Sequence, residues 1–543
     1  MAKEKGNKKK LSAKAFTAIV APLLAVLLAF SIVLSVVSTS RFDLVLRDIF
    51  GETDFGNSGA GHDIDANYYT RDITDSKELQ AAEQAYARRA GAEGFVLLYN
   101  RAEDGRGLPV AAGSKLSLFS SSSVDLLAGG TGSGVSTISS DMKTALTEQG
   151  FAVNEALWKF YSDNHGSYTR GGGSIMYGGA EDWTIREAPV SAIPDSAKSE
   201  AAGTTPVFFL ARTGGEGRDL GRYMGEWTNV AEDKEKHYLE PNSVELEVIQ
   251  YLNDTFDNVI LVVNTNNAFE LGWVADYPSI SAVLWAPGAG GDTCRSIADV
   301  LSGAVNPSGH LVDTFAYDAF SSPAMQNMGD MMLVNGGQDV EAAVFYDEGI
   351  YVGYKYYETR YFDKALDQGN AGDYDYAATV QYPFGYGISY TTFEWSDFKI
   401  GQMDADGNIE LSVTVKNTGA VAGRDVVQVY LNAPYTDYDK ANHIEKSAVT
   451  LVGFEKTGEL QPGQSETVTI IVNRRDFISY DDVNAKTYIL EAGDYLLTAA
   501  ENAHAAADNF LAYNGQNVEP LFSGADASFV GKWTYDYSGN GGG

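Results

Sequence analysis

Glu216 is the residue of this chain best placed to do chemistry. It stands in Thr213-Gly214-Gly215-Glu216-Gly217-Arg218-Asp219, directly after the apolar run TPVFFLA (205–211). That run reads as a buried strand, so its loop leaves the strand's C-terminal end, the edge at which open α/β sheets bind ligands. Gly214, Gly215 and Gly217 let backbone and ligand approach closely. Arg212, Gly215 and Asp219 flank the carboxyl and are candidate substrate contacts. The plainer reading is a loop carboxylate paired with Arg218 or Arg212, which lowers its pKa instead of holding a proton.

Other motifs carry less. GGTGSG (129–134) lacks the GxGxxG spacing, follows the run KLSLFS only after eight residues, and precedes no Lys-Ser/Thr, which argues against a nucleotide loop. HGSYTRGGGSIMYGG (165–179) is a Gly/Tyr-rich loop that either lines a ligand site or is plain surface. Asp347 and Glu348 lie among aromatics and read as structural. Asp404-Ala-Asp-Gly-Asn408 has the start of a calcium loop, but Val415 stands where the bidentate Glu belongs, so a hairpin turn is expected. The six histidines share no ligand-like spacing, and the single Cys294 excludes an internal disulfide and cysteine-based metal sites. No metal and no cofactor is expected.

The elements around Glu216 alternate. GFVLLYN (94–100), KLSLFS (115–120), TPVFFLA, NVILVVN (258–264) and SAVLWAP (281–287) suit strands buried on both faces. Between them lie helix candidates at 77–92, 141–150, 243–256 and 291–303. This alternation predicts an α/β sandwich domain with a mostly parallel sheet over 76–395. Near residue 395 the pattern changes to six alternating strand-like runs with no helix pattern, which predicts an all-β sandwich over 396–500. Residues 501–543, ending SGNGGG, read as a tail or linker.

The 543 residues suffice for two to four domains. Asp plus Glu outnumber Lys plus Arg by 73 to 39, a net charge of −34, which argues against nucleic acid as a partner. The N-terminus runs the other way, with six lysines in residues 1–14. Residues 15–37 carry no charge. At ~1.5 Å per residue they reach about 34 Å, enough for a ~30 Å hydrocarbon core. The sequence thus predicts a cytoplasmic basic segment (1–14), a single transmembrane helix (15–37), a linker (38–75) and an extracytoplasmic body at the cell membrane. A cleaved signal peptide is the competing reading.

Taken together and in order, several stretches resemble glycoside hydrolase family 3. They are EGFVLLYN with GLPV, GGTGSG, ARTGGEGRD, LWAPGAGGDTCRSIADVLSGAVNPSGHLVDTF, FYDEGIYVGYKYYETR and YPFGYGISYTTFEWS. KNTGAVAGRDVVQVYL, LVGFEKTGELQPGQSETVTI and LEAGDYLL resemble that family's fibronectin type III-like domain. The resemblance covers about residues 80–500. It implies a retaining, β-glucosidase-like hydrolase of β-O-glycosidic bonds with Glu216 as its acid/base. It also implies a (β/α)8 barrel bearing the carboxylate nucleophile, in the same or another chain; no segment here matches that barrel, and no nucleophile is assigned. The expected partner is a β-linked oligosaccharide or glycoside. The alternative is a non-catalytic carbohydrate-binding or scaffold module at the cell surface.

Overall fold

The computed structural model describes residues 13–38, 72–130, 136–171, 182–214, 220–328, 331–335, 338–343, 345–518, 521–522 and 524–536. The chain divides into two units, Met1–Thr74 and Asp75–Gly543. In the first, a helix spans Ala13–Ser38. The expected transmembrane span is corrected: among the described residues no helix is long and apolar enough to cross a membrane. The extracytoplasmic placement of the body rested on that span. Of the expected basic segment and linker, residues 1–12 and 39–71 lie outside the described residues.

The second unit begins with a helix, Ser76–Gly94, capped by Asp75, whose carboxylate accepts Lys77 N–H and Glu78 N–H at 2.9 and 3.0 Å. Six strands then build one sheet: β1 (Val96–Asn100), β2 (Lys115–Phe119), β3 (Ala152–Val153), β4 (Thr205–Arg212), β5 (Val259–Thr265) and β6 (Ile280–Trp285). Their order is β1-β6-β5-β4-β2-β3, parallel throughout except for β1, which runs antiparallel to β6.

Side chains alternate between two cores, as the period of two in a strand demands. Phe208, Leu210, Leu261 and Val263 face the helices Glu155–Asp163, Asp195–Ala201 and Ser243–Thr255. Val207, Phe209, Ile260 and Val262 face Ser76–Gly94, Met142–Glu148 and Thr293–Ser302. Both faces are covered, which is why the runs are continuously apolar.

The all-β part has a three-stranded sheet (Phe393–Ile400, Asn408–Asn417, Ser465–Asn473) and a four-stranded one (Thr450–Lys456, Val426–Asn432, Gly493–Ala500, Val530–Tyr535). Their inner faces share one core, including Leu411, Val413, Val429, Val468 and Leu497. Asp404 closes the hairpin turn before the second strand by accepting Asp406 N–H and Asn408 N–H at 2.9 and 2.8 Å.

The expected tail at 501–543 is corrected. Ala503–Tyr513 is a helix, and Val530–Tyr535 pairs antiparallel with Gly493–Ala500. The run AHAAADNFLAY buries Ala503, Ala506, Ala507, Phe510 and Leu511 against this sheet, so its small residues pack where a linker composition was read.

Candidate active site

The order β3-β2-β4-β5-β6 reverses direction between β2 and β4, and a doubly wound sheet opens its ligand crevice at the carboxyl ends beside such a switch. β4 ends there at Arg212, and the described chain continues to Gly214. Gly215, Glu216 and Asp219 themselves lie outside the described residues, as do Gly217 and Arg218. The loop's two anchors, Gly214 and Leu220, are described.

Four loops converge on the edge. After β2 the chain turns through Ser120, a non-glycine residue with φ of 84°, the kind of backbone strain that the surrounding structure must over-determine. Here Glu187 does so. Its Oε2 accepts Ser120 Oγ–H, Ser121 N–H and Ser121 Oγ–H at 2.7, 2.9 and 3.1 Å, and its Oε1 accepts Ala188 N–H at 2.8 Å. Burial pushes the Glu187 carboxyl up to about 7 in spite of those donors.

Asn264, near the end of β5, ties that strand to two loops: its Oδ1 accepts Leu127 N–H at 2.6 Å and its Nδ2 donates to Ala286 O at 2.7 Å. Gly288, after β6, lies against the β2 loop so closely that a Cβ there would sit 2.6 Å from Gly129 N. Arg170, in the described part of the Gly/Tyr-rich loop, donates from Nε to Thr213 Oγ1 at 3.2 Å, hydrogen-bonds Asp125 O, and pairs with the Asp125 carboxylate at 3.3 Å. Thus the segment 165–171 reaches β4's end, while 172–179 lies outside the described residues.

Arg212, expected as a substrate contact, faces inward and is fully buried. Nε donates to Tyr238 O at 2.9 Å. Nη1 donates to Ala211 O and Glu245 Oε1 at 3.1 and 2.8 Å, and Nη2 to Glu240 O and Glu245 Oε2 at 2.6 and 2.7 Å. All five donors are therefore used inside the protein, and the residue anchors the loop's departure rather than offering a hydrogen bond outward. Glu348 accepts Asn327 Nδ2–H at 2.6 Å. Among the described residues no group of three or more His, Cys, Asp or Glu is arranged to hold a metal ion.

Sequence reasoning passed over Asn264, Glu187 and Glu245. For Asn264 a signal was present, a polar residue ending an otherwise apolar strand, NVILVVN. For Glu187 there was none, because its role depends on a strained turn that is distant in sequence.

The fold defines a doubly wound α/β domain joined to a fibronectin-like sandwich. Residues 95–354 match the glycosyl hydrolase family 3 C-terminal domain and residues 425–503 the fibronectin type III-like domain; the chain belongs to that family. It is 32% identical to a β-glucosidase of Ruminococcus albus over 78% of this chain and 40% of the relative. It is also 32% identical to β-glucosidase A of Butyrivibrio fibrisolvens, over 75% and 48%. Among solved structures, a β-glucosidase from Paenibacillus barengoltzii matches with a TM-score of 0.62 at 30% identity, over 77% of this chain and 41% of that one. β-Glucosidase 3B from Thermotoga neapolitana in complex with glucose matches at 0.61 and 28%, over 79% and 53%. The chain spans half or less of the length of the two curated relatives.

Proposed function

We propose that this chain is the acid/base-bearing part of a retaining β-glucosidase-like enzyme acting on β-linked glycosides. Glu216 donates a proton to the leaving oxygen and then deprotonates the water that releases the sugar. The observation that carries this reading is positional: the loop between Gly214 and Leu220 departs from β4 at the switch point of a family 3 sheet. In a retaining enzyme a second carboxyl stands about 5–5.5 Å from the acid/base and attacks the anomeric carbon. A (β/α)8 barrel, in the same or another polypeptide, is the proposed source of that nucleophile. Repulsion between the two carboxyls would keep Glu216 protonated for the first step. Gly215 and Asp219 remain proposed contacts to the sugar. Arg212 acts through the backbone it fixes.

The test is leaving-group dependence in the barrel-containing enzyme. Glu216→Ala slows glycosides with poor leaving groups by ~10²–10⁴-fold and activated aryl glycosides far less. Azide then restores turnover of the activated substrates and yields a β-glycosyl azide. Equal losses for both substrate kinds without azide rescue remove Glu216 from the role. The 543-residue chain alone is expected to bind sugar without appreciable turnover. Binding with no turnover in any barrel-containing form would favour the non-catalytic module instead.

A further inference from the structure

A cavity of about 310 Å³ opens where the α/β domain meets the fibronectin-like sandwich. One wall comes from the segments 307–310 and 387–393, the other from Arg424, Asp425 and Glu501. None of these residues belongs to the loops gathered at the end of β4. Asn306 fixes the two walls against each other. Its Nδ2 donates to Ala422 O at 2.9 Å, and its Oδ1 accepts Ser389 Oγ–H and Tyr390 N–H, both at 2.8 Å.

Two polar atoms of the first wall are left over. Ser308 is 4% exposed, and its Oγ has no hydrogen-bond partner among the described residues. The same holds for His310 Nδ1. Burial, and then the Lys456 ammonium, push the His310 imidazole down to about 4, so the ring is neutral near pH 7. Native interiors rarely leave such atoms standing.

The second wall carries charge of both signs. Arg424 is a permanent cation with a fork of donors. Asp425 Oδ2 accepts Trp395 Nε1–H at 2.6 Å and Oδ1 accepts Val426 N–H at 2.9 Å, yet burial pushes this carboxyl up. Glu501 stands at the mouth. A lone anion would meet two carboxyls here, and a lone cation would meet the guanidinium. A neutral guest would take water from all three charges and return no charge to them. A molecule with one carboxylate and one ammonium answers both signs at once. Pro307, Ile388 and Phe393 add an apolar side to the same space, as small-ligand sites generally do.

We propose that this cavity binds a free α-amino acid, its carboxylate toward Arg424 and Ser308 and its ammonium toward Asp425, Glu501 and His310 Nδ1. The ligand bridges the two domains, because its partners come from both walls. The site stands apart from the acid/base loop and does not rest on the function proposed above.

The experiment is calorimetric titration of the 543-residue chain with glycine and L-leucine. Two analogues of leucine isolate its charges: 3-methylbutylamine lacks the carboxylate and 4-methylpentanoate lacks the ammonium. Saturable binding of an amino acid is expected, with each analogue at least tenfold weaker than leucine. Arg424→Gln weakens leucine at least tenfold and changes the amine less than twofold. Glu501→Gln weakens leucine and spares 4-methylpentanoate. Unchanged thermal unfolding without ligand establishes that each variant is folded. No saturable binding of either amino acid overturns the proposal, as does an affinity indifferent to both Arg424→Gln and Glu501→Gln. Binding of 4-methylpentanoate as tight as that of leucine would make this an anion site and overturn the ligand class. Tighter binding of methyl β-glucopyranoside, weakened by the same two variants, would overturn it too.

Discussion

Arg212 and Glu245 meet fork to fork, with two nearly parallel hydrogen bonds of 2.8 and 2.7 Å in a place where neither side chain is more than 2% exposed. Arg212 ends β4, and Glu245 lies in the first turn of the helix Ser243–Thr255. The same carboxylate completes that helix's capping box: Oε2 accepts Asn242 N–H, and Asn242 Oδ1 accepts Glu245 N–H, both at 2.8 Å. One glutamate therefore starts a helix and fixes the strand end from which the candidate catalytic loop departs.

This pair is expected to be costly to break and cheap to replace whole. Arg212→Met leaves a buried carboxylate uncompensated and should cost about 3–5 kcal/mol in urea unfolding. Arg212→Met combined with Glu245→Leu should recover much of that, apart from ~1 kcal/mol for the lost cap. A double variant as unstable as the sum of the singles would contradict the coupling.

Glu187 should give the protein a pH dependence of definite sign. Its carboxyl is pushed up to about 7 from the ordinary 4.5, chiefly by burial. The folded state thus binds the proton more tightly than the unfolded one. Its stabilisation is full below about pH 4.5 and is lost as pH rises toward 7, by at most about 3 kcal/mol at 1.36 kcal/mol per pH unit. His237 and His310, pushed down to about 4 by burial, act oppositely, losing stability as pH falls from 6.5. The clean measurement is therefore a difference. Stability of the native protein minus that of Glu187→Gln should fall between pH 4.5 and 7 and level off above. A flat difference would mean that the four hydrogen bonds hold the carboxylate ionised.

The parallel sheet was legible because strands buried on both faces leave unbroken apolar runs: four of the five runs read from the sequence overlap β2, β4, β5 and β6, and the fifth overlaps β1. That β1 is antiparallel was not legible, since period and composition are the same in either direction. The strand that precedes Glu216 in sequence was legible from its apolar run. What surrounds the end of that strand was not, because Asn264 reaches it from β5 and Arg170 and Glu187 from loops whose meeting depends on strand order. Arg212 was misread for a related reason: an arginine beside a glycine-rich loop looks available, and only the fold reveals Glu245 beneath it. The ending SGNGGG suggested that the whole stretch after residue 500 was a linker, although AHAAADNFLAY within it is apolar enough to pack.

Cys294 should be silent to thiol reagents in the folded protein. It is buried at 2% exposure in the helix Thr293–Ser302, and burial pushes its thiol up to about 12. The thiolate is the reactive form, so labelling should proceed only through opening of the structure. Reaction with an aromatic disulfide reagent is expected to be at least a hundredfold slower in buffer than in denaturant. It should accelerate in Arg212→Met if that variant is destabilised globally. Fast labelling of the native protein would place the thiol at the surface.

The segment beyond Ala500 is expected to be required for stability. Phe510 and Leu511 are fully buried on the helix Ala503–Tyr513, and at about 1.5–3 kcal/mol for each large apolar side chain they contribute roughly 3–6 kcal/mol. The helix also carries His504, whose Nδ1 lies 3.0 Å from Glu358 Oε2, while Tyr376 O–H donates to Glu358 Oε1 at 2.5 Å. Ending the chain at Ala500 therefore removes a packed face and leaves Glu358, fully buried in the helix Tyr354–Ala365, with one partner fewer. It also strips Gly493–Ala500 of Val530–Tyr535, turning a central strand into an open edge, which invites pairing with other chains. Comparing proteins that end at residues 500 and 536 by thermal unfolding and light scattering should show the shorter one less stable by several kcal/mol and prone to associate. Equal stability and a monomeric state for both would return residues 501–536 to the role of a tail.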